Sequence, residues 1–248
     1  MGKVNILGVQ VDMVNAAEAA GKIIEMLEEN RPHSVYTPNS EIIMMAYKDA
    51  EFCRLLNDAD LLTADGIGVV YASRILGRPI AERAAGYDIA RLVLEHIAES
   101  GHRLFLFGGK PGVAEQAQER LLQEYPFLNI VGCRNGYFDA AEEPEIIDAI
   151  NRSGADIVFV CLGAPAQEKW IDRNMNQLHV EVLMGIGGSL DVFAGNVERA
   201  PQKWQDLGLE WLYRLIKEPR RFVRMLALPK FALTVLFKGK RYYKGGEE

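Results

Sequence analysis

Asp65 is the carboxylate best placed by its neighbours to do chemistry. It follows the short apolar run Ala59 to Thr63 and precedes Gly66-Ile67-Gly68, whose glycines let a ligand approach the backbone before a helix begins. Two roles fit such a residue: a general base aimed into a cleft, or a cap on the first N–H groups of the next helix, for which Asp is well suited. Gly108-Gly109-x-x-Gly112, after the apolar run Leu104 to Phe107, has the makeup of a loop that cradles phosphate or a nucleotide, or of a purely structural turn. A nicotinamide site would also want an acidic residue at the end of the next strand, where this chain has Val131-Gly132-Cys133-Arg134. Arg214, Arg221 and Arg224, spaced by seven and then three, fall on one helical face if Pro219 only kinks the helix, and grouped guanidinium groups suit phosphate.

Metal chemistry finds little support. His33, His96, His102 and His179 have no ligand spacing with Cys or carboxylates. Asp58-Ala59-Asp60 has the spacing of a metal-holding Asp-x-Asp, but it ends a helical pattern, where Asp clusters for local reasons. Cys53, Cys133 and Cys161 are odd in number and set in apolar runs, which predicts core residues in a reducing compartment. Neither a metal nor another cofactor is expected.

The elements that must position these residues alternate. Strands are predicted at Val4 to Val11, His33 to Thr37, Arg103 to Phe107, Asn129 to Val131, Asp156 to Leu162 and Glu181 to Ile186. Helical periodicity occupies Ala16 to Glu29, Tyr87 to Glu99, Pro111 to Glu124, Glu145 to Asn151 and Pro165 to Asn176. This pattern predicts an α/β, Rossmann-like fold with a mostly parallel sheet, helices on both faces and a ligand site beyond the carboxyl ends of the strands. We place the α/β domain at residues 1–195 and a basic, amphipathic helical C-terminal appendage at residues 196–248.

Charge divides at nearly the same boundary. Residues 1–198 carry 16 Lys and Arg against 29 Asp and Glu, and residues 199–248 carry 12 against 5, so an overall charge of −6 splits into −13 and +7. A basic segment that also holds Phe222, Leu226, Leu228, Phe231, Leu233, Leu236 and Phe237 suits the surface of an anionic membrane, although its apolar run is too short to span one. Its aromatics sit in dense apolar clusters rather than along a polar groove, so nucleic acid is not an expected partner. The seam Leu209, Leu212 and Ile216 leaves packing on the body, on another subunit or on lipid open. The amino terminus lacks a signal-peptide pattern, which leads us to expect a cytoplasmic protein associated peripherally with the inner face of the cell membrane.

Several motifs occur together and in order: Thr37-Pro38-Asn39 with Glu41, Ala64-Asp65-Gly66-Ile67-Gly68, Arg83 with Gly86-x-Asp88, Leu106-Phe107-Gly108-Gly109, and Gly136-Tyr137-Phe138. They continue with Leu162-Gly163-x-Pro165-x-Gln167-Glu168, Asp191-x-x-Ala194-Gly195, Arg199-Ala200-Pro201, Gly208-Leu209-Glu210-Trp211, and Arg214-Leu215 with Glu218-Pro219-x-Arg221. On these motifs the chain resembles the WecG/TagA/CpsF family of bacterial glycosyltransferases from about residue 5 to residue 225. The resemblance implies inverting transfer of N-acetylmannosamine from a UDP donor to the 4-hydroxyl of polyprenyl-diphosphate-linked N-acetylglucosamine, a step of wall teichoic acid linkage-unit synthesis. It implies Asp65 as general base, Thr37, Asn39 and Gln167 lining the pocket, and Arg214, Arg221 and Arg224 in a tail that closes over it. Arg83, Gly108, Gly109, Tyr137 and Asp191 are expected on the donor and substrate side. Another UDP-sugar, such as the uronic acid or glucose, and a non-catalytic UDP- or phosphate-binding module are the alternatives.

Overall fold

Strand side chains in this protein alternate between two cores. Leu104 and Leu106, like Ile157 and Phe159, join one buried cluster, while Phe105 and Phe107, like Val158 and Val160, join the other. A strand buried on both faces reads as a continuous apolar run, which is why these segments are visible in the sequence. The structure, a computed structural model, describes residues 2–219 and 222–243.

The chain runs β1 (Lys3–Ile6), β2 (Val9–Asp12), α1 (Ala16–Met26), β3 (His33–Tyr36), α2 (Ser40–Ala46), α3 (Ala50–Asn57), β4 (Leu61–Leu62), α4 (Ile67–Ile75) and α5 (Gly86–Ser100). It continues through β5 (Arg103–Gly108), α6 (Val113–Glu124), β6 (Asn129–Arg134), α7 (Glu143–Ser153), β7 (Ile157–Cys161), α8 (Ala166–Asn174), β8 (Val182–Gly185) and α9 (Ser189–Phe193). The tail holds α10 (Gln202–Asp206), α11 (Glu210–Lys217), α12 (Phe222–Met225) and α13 (Ala227–Tyr243). Six strands form one parallel sheet in the order β4-β3-β8-β7-β5-β6. One core, under α1, α5, α6 and α9, includes Ile23, Val93, Leu121 and Leu190; the other, under α2, α3, α4, α7 and α8, includes Ile43, Phe52, Val69, Ile150 and Trp170.

The first predicted strand is instead a hairpin. Val4 to Val11 breaks into β1 and β2, which pair antiparallel apart from the main sheet. Leu7 and Gly8 turn the chain with φ of 56° and 102°, and Asn5 Oδ1 accepts the Gly8 N–H at 2.8 Å. A two-residue turn with both φ values positive usually shows as Asn-Gly. Here a buried leucine takes the first place, so the run reads as unbroken.

The tail is not a detached element. Phe231, Val235 and Gly239, one turn apart on α13, face inward against α2, α4 and β1, and a Cβ on Gly239 would lie 2.7 Å from Leu76 Cδ2. Burying Phe231 and Val235 contributes roughly 1.5 to 3 kcal/mol each. Pro229 falls in the first turn of α13, where no helical N–H is lost. The opposite face exposes Leu233, Leu236 and Phe237. No helix of the described residues is long and apolar enough to cross a membrane.

Candidate active site

A cleft of about 580 Å³ opens at the carboxyl ends of the parallel strands. The loop after β5 leads out to β6 and the loop after β7 leads back to β8, the divergence that opens a crevice in sheets of this kind. Thr37, Asn39, Asp65, Arg83, Gly109, Tyr137, Gln167, Asp191 and Arg214 all line the cleft. Gly108 does not. A Cβ there would lie 2.3 Å from the Cys161 carbonyl oxygen, so its glycine serves the close approach of β5 to β7. Arg221 and the Arg224 side chain lie outside the described residues.

Asp65 ends the stretch that leaves β4, its own N–H bonded to the Pro38 carbonyl at 3.2 Å. The cap of α4 is Gly66, at φ 100°, with no side-chain hydrogen bond, so the Asp65 carboxylate is not spent on that helix. It faces the start of α5, where the Gly86 amide favours its charged form. Two hydrogen bonds lock the loop before α5 against this strand end: Ala84 N–H to the Ala64 carbonyl at 3.0 Å, and the Thr63 hydroxyl to the Ala84 carbonyl at 3.1 Å. Gly86 is required there, because a Cβ would sit 2.8 Å from Thr37 Oγ1. Asp65 is half-buried, and burial pushes its carboxyl up to about 6, against the downward pull of the Arg83 and Arg214 guanidinium groups. A carboxylate in that range is still mostly ionised at neutral pH and close to the value that suits proton abstraction.

The far side of the cleft is glycine and backbone. Gly109 N–H binds the Cys161 carbonyl at 3.0 Å and its own carbonyl accepts from Gly136 N–H at 2.9 Å, which sets the β5 loop beside Tyr137. Gln167 is held at both ends: Oε1 accepts from Gly187 N–H at 3.1 Å, and Nε2 donates at 2.9 Å to Glu168, a buried acid whose pKa desolvation raises. Asn39 caps α2, its Oδ1 accepting from Glu41 and Ile42 at 2.9 and 3.1 Å, so only its amide NH2 is left to offer a ligand. The amino ends of α4, α5 and α8 carry no side-chain cap, and residues at or beside each of them line the cleft, as do Gly109 and Lys110 in the loop that leads to α6. Uncapped N–H groups and helix dipoles make that wall favourable to an anion.

Charge is concentrated where the tail meets the body. Glu210, on α11, accepts from Arg83 through one carboxylate oxygen and pairs with Arg214 at 3.0 Å through the other. Arg83 also reaches Gln205 Oε1 at 3.4 Å and Asp88 at 3.6 Å. Arg199 grips Asp88 with two nitrogens. Among the described residues, the buried Nε atoms of Arg199 and Arg214 have no hydrogen-bond partner. Buried donors left open beside a cleft are suited to a ligand that brings acceptors.

The sequence model of the glycosyl transferase WecG/TagA/CpsF family matches residues 4–245. The chain belongs to this family. A Bacillus subtilis (strain 168) protein named N-acetylglucosaminyldiphosphoundecaprenol N-acetyl-beta-D-mannosaminyltransferase is 40% identical over 206 residues, 83% of this chain and 80% of the relative. A protein of the same name from Bacillus spizizenii strain W23 is 38% identical over 210 residues, 85% of this chain and 81% of the relative.

In this WecG/TagA/CpsF chain the residues that sequence reasoning left without a role are Asp88, Arg199 and Glu210. Each stands inside a family motif, which was the available signal, but their pairings join positions 111 and 127 residues apart. No spacing along the chain reports such contacts. Asp58 and Asp60 do not line the cleft: Asp58 ends α3, and Asp60 is committed to the Ser34 N–H at 3.0 Å and to Arg31 at 2.9 Å.

Proposed function

We propose that this protein transfers N-acetylmannosamine from UDP-N-acetylmannosamine to the sugar of N-acetylglucosaminyl-diphospho-undecaprenol, with inversion and release of UDP. The observation that carries the reading is Asp65, a half-buried carboxylate that caps no part of its own helix and faces a cleft walled by helix amino ends and guanidinium groups. Asp65 takes the proton of an acceptor hydroxyl as the oxygen attacks the anomeric carbon. The bond from that carbon to the diphosphate breaks, and its electron pair leaves on UDP. A single displacement by a base-activated hydroxyl inverts the centre. The growing charge on the diphosphate is met by the α8 amino end, Lys110 and the guanidinium groups of Arg83 and Arg199.

Sheet order supports a division of the cleft. Asp65 follows the edge strand β4, and Gly109 follows β5, four strands away or roughly 19 Å at ordinary strand spacing. UDP is assigned to the glycine side, with Gly109, Tyr137, Gln167 and Asp191. The acceptor is assigned to the side of Asp65, where Ile67, Trp211 and Leu228 offer apolar surface between α4 and the tail. From there the exposed Leu233, Leu236 and Phe237 of α13, with Lys230, Lys238 and Lys240, suit contact with an anionic membrane face at which a lipid-linked acceptor is held. Arg221 and Arg224 are assigned with Arg214 to the acceptor diphosphate.

The test is UDP release from a panel of UDP-sugars with a short-chain lipid-diphosphate N-acetylglucosamine acceptor. Turnover with the N-acetylmannosamine donor is expected. Turnover with only the uronic acid or glucose donor would move the protein to another branch of its family, and UDP binding without any release would leave a binding module.

A further inference from the structure

Asp65 has two guanidinium groups near it and an ion pair with neither. Arg83 and Arg214 both act on its carboxyl electrostatically, yet among the described residues the acid they pair with beside it is Glu210. The groups facing Asp65 come from three elements: Arg83 from the loop before α5, the Gly86 amide from α5 itself, and Glu210 and Arg214 from α11. Asp88 and Arg199 close the network behind them, and Asp88 also approaches Arg83.

A carboxylate gripped by arginine is a poor base, because the pair stabilises the charged form and occupies the lone pairs that must take the proton. Asp65 would meet that fate if the guanidinium groups were unclaimed. Glu210 claims both, one with each carboxylate oxygen, from a side chain only 14% exposed.

We propose that Glu210 is a positioning residue for the transfer: by engaging Arg83 and Arg214 together it keeps both guanidinium groups off Asp65, so that the Asp65 carboxylate stays free to accept the acceptor proton. The same contact holds the two cations at the cleft wall. Glu210 also contributes its own negative charge beside Asp65, which favours the protonated form of its neighbour. Because Glu210 belongs to the tail and Arg83 to the body, the base is tuned only when α11 is docked. This inference rests on the reading of Asp65 as general base.

The experiment is the pH dependence of kcat/KM for the full-length protein and for Glu210→Gln, using UDP-N-acetylmannosamine and the short-chain acceptor. Wild type should lose activity as pH falls through about 6, the value to which burial pushes Asp65. In Glu210→Gln the acid limb should move down by about one unit as the arginines turn to Asp65. The plateau should fall roughly three- to tenfold as the base weakens. Glu210→Ala should shift the limb the same way, and Glu210→Asp, which keeps the charge, should restore the limb to near its wild-type position. A merely structural tether would change the plateau and leave the limb where it was; that result, or an upward shift, overturns the proposal. An active Asp65→Asn protein would instead remove the general-base reading beneath it. Carboxyl titration of Asp65 by carbon-13 NMR in Glu210→Gln reads the same shift without turnover.

Discussion

Arg199 holds Asp88 by two nitrogens, at 2.5 and 2.7 Å, with its guanidinium carbon 4.7 Å from the centre of the Tyr87 ring. The contact fixes the root of the tail to the first turn of α5, the same turn whose Gly86 amide meets Asp65. Asp88→Asn removes the charge and one acceptor while keeping the shape. It should cost about 1 to 2 kcal/mol for a half-buried pair and speed amide exchange across residues 199–217. Unchanged exchange there would show that the tail root is held by other contacts.

The base should also make the protein less stable where it is ionised. Folding raises the Asp65 carboxyl from an ordinary 3.8 to about 6, so the folded state takes up a proton between those values. Its stabilising contribution is present below about pH 4 and lost as pH rises through 6; above that, ionised Asp65 costs on the order of 1 to 3 kcal/mol. Asp65→Asn should therefore melt at a higher temperature than wild type at pH 8, with the gap closing near pH 4. An equal gap at both values would contradict the assignment.

Two adjacent glycines should behave differently. Gly108→Ala places a Cβ against the Cys161 backbone at a φ of 129° and should destabilise the fold by about 2 to 4 kcal/mol, read as a lower denaturation midpoint. Gly109→Ala is also strained by a positive φ, 71°, but its Cβ meets side chains rather than backbone, Val113 at 3.0 Å and Leu190 at 3.4 Å, so its cost should be smaller and its loss should appear in UDP affinity.

Membrane contact is tested by the outer face of α13. Leu233→Ser with Phe237→Ser removes two exposed apolar side chains without touching the buried Phe231 and Val235. Binding to vesicles containing anionic lipid should fall at least about tenfold, given roughly 1.5 to 3 kcal/mol for each buried side chain. Turnover on a short-chain acceptor in solution should be unchanged, and vesicle binding at the wild-type level would remove α13 as the contact.

Among the five predicted main-sheet strands, β5, β7 and β8 were legible because parallel strands covered on both faces are apolar almost throughout. The helices α6 and α8, behind the junctions at Gly108 and Gly163, were legible because their periodicity changes to that of one buried stripe. β4 spans only Leu61–Leu62 and has no period to read, yet it carries Asp65 to the cleft. The Leu7-Gly8 turn was hidden by a buried leucine in a conformation that favours Gly or Asn. Asp65 as cap or as base could not be separated in sequence, since both want Asp before a helix; the backbone puts Gly66, not Asp65, at the cap position of α4. Gly108 and Gly109 look alike in a motif and differ in backbone φ, 129° and 71°, in what a Cβ would strike and in which of them lines the cleft. The Glu210 bridge depends on how α11 docks, which no local pattern encodes.

The central claim is that Asp65 removes the proton of the acceptor. It is tested most directly by single-turnover release of UDP from UDP-N-acetylmannosamine by Asp65→Asn with the lipid-diphosphate N-acetylglucosamine acceptor, alongside a measurement of UDP affinity. Loss of the base should slow release by roughly 10²- to 10⁴-fold while UDP binds as before. Release at the wild-type rate, with the protein folded and the acceptor bound, would contradict it.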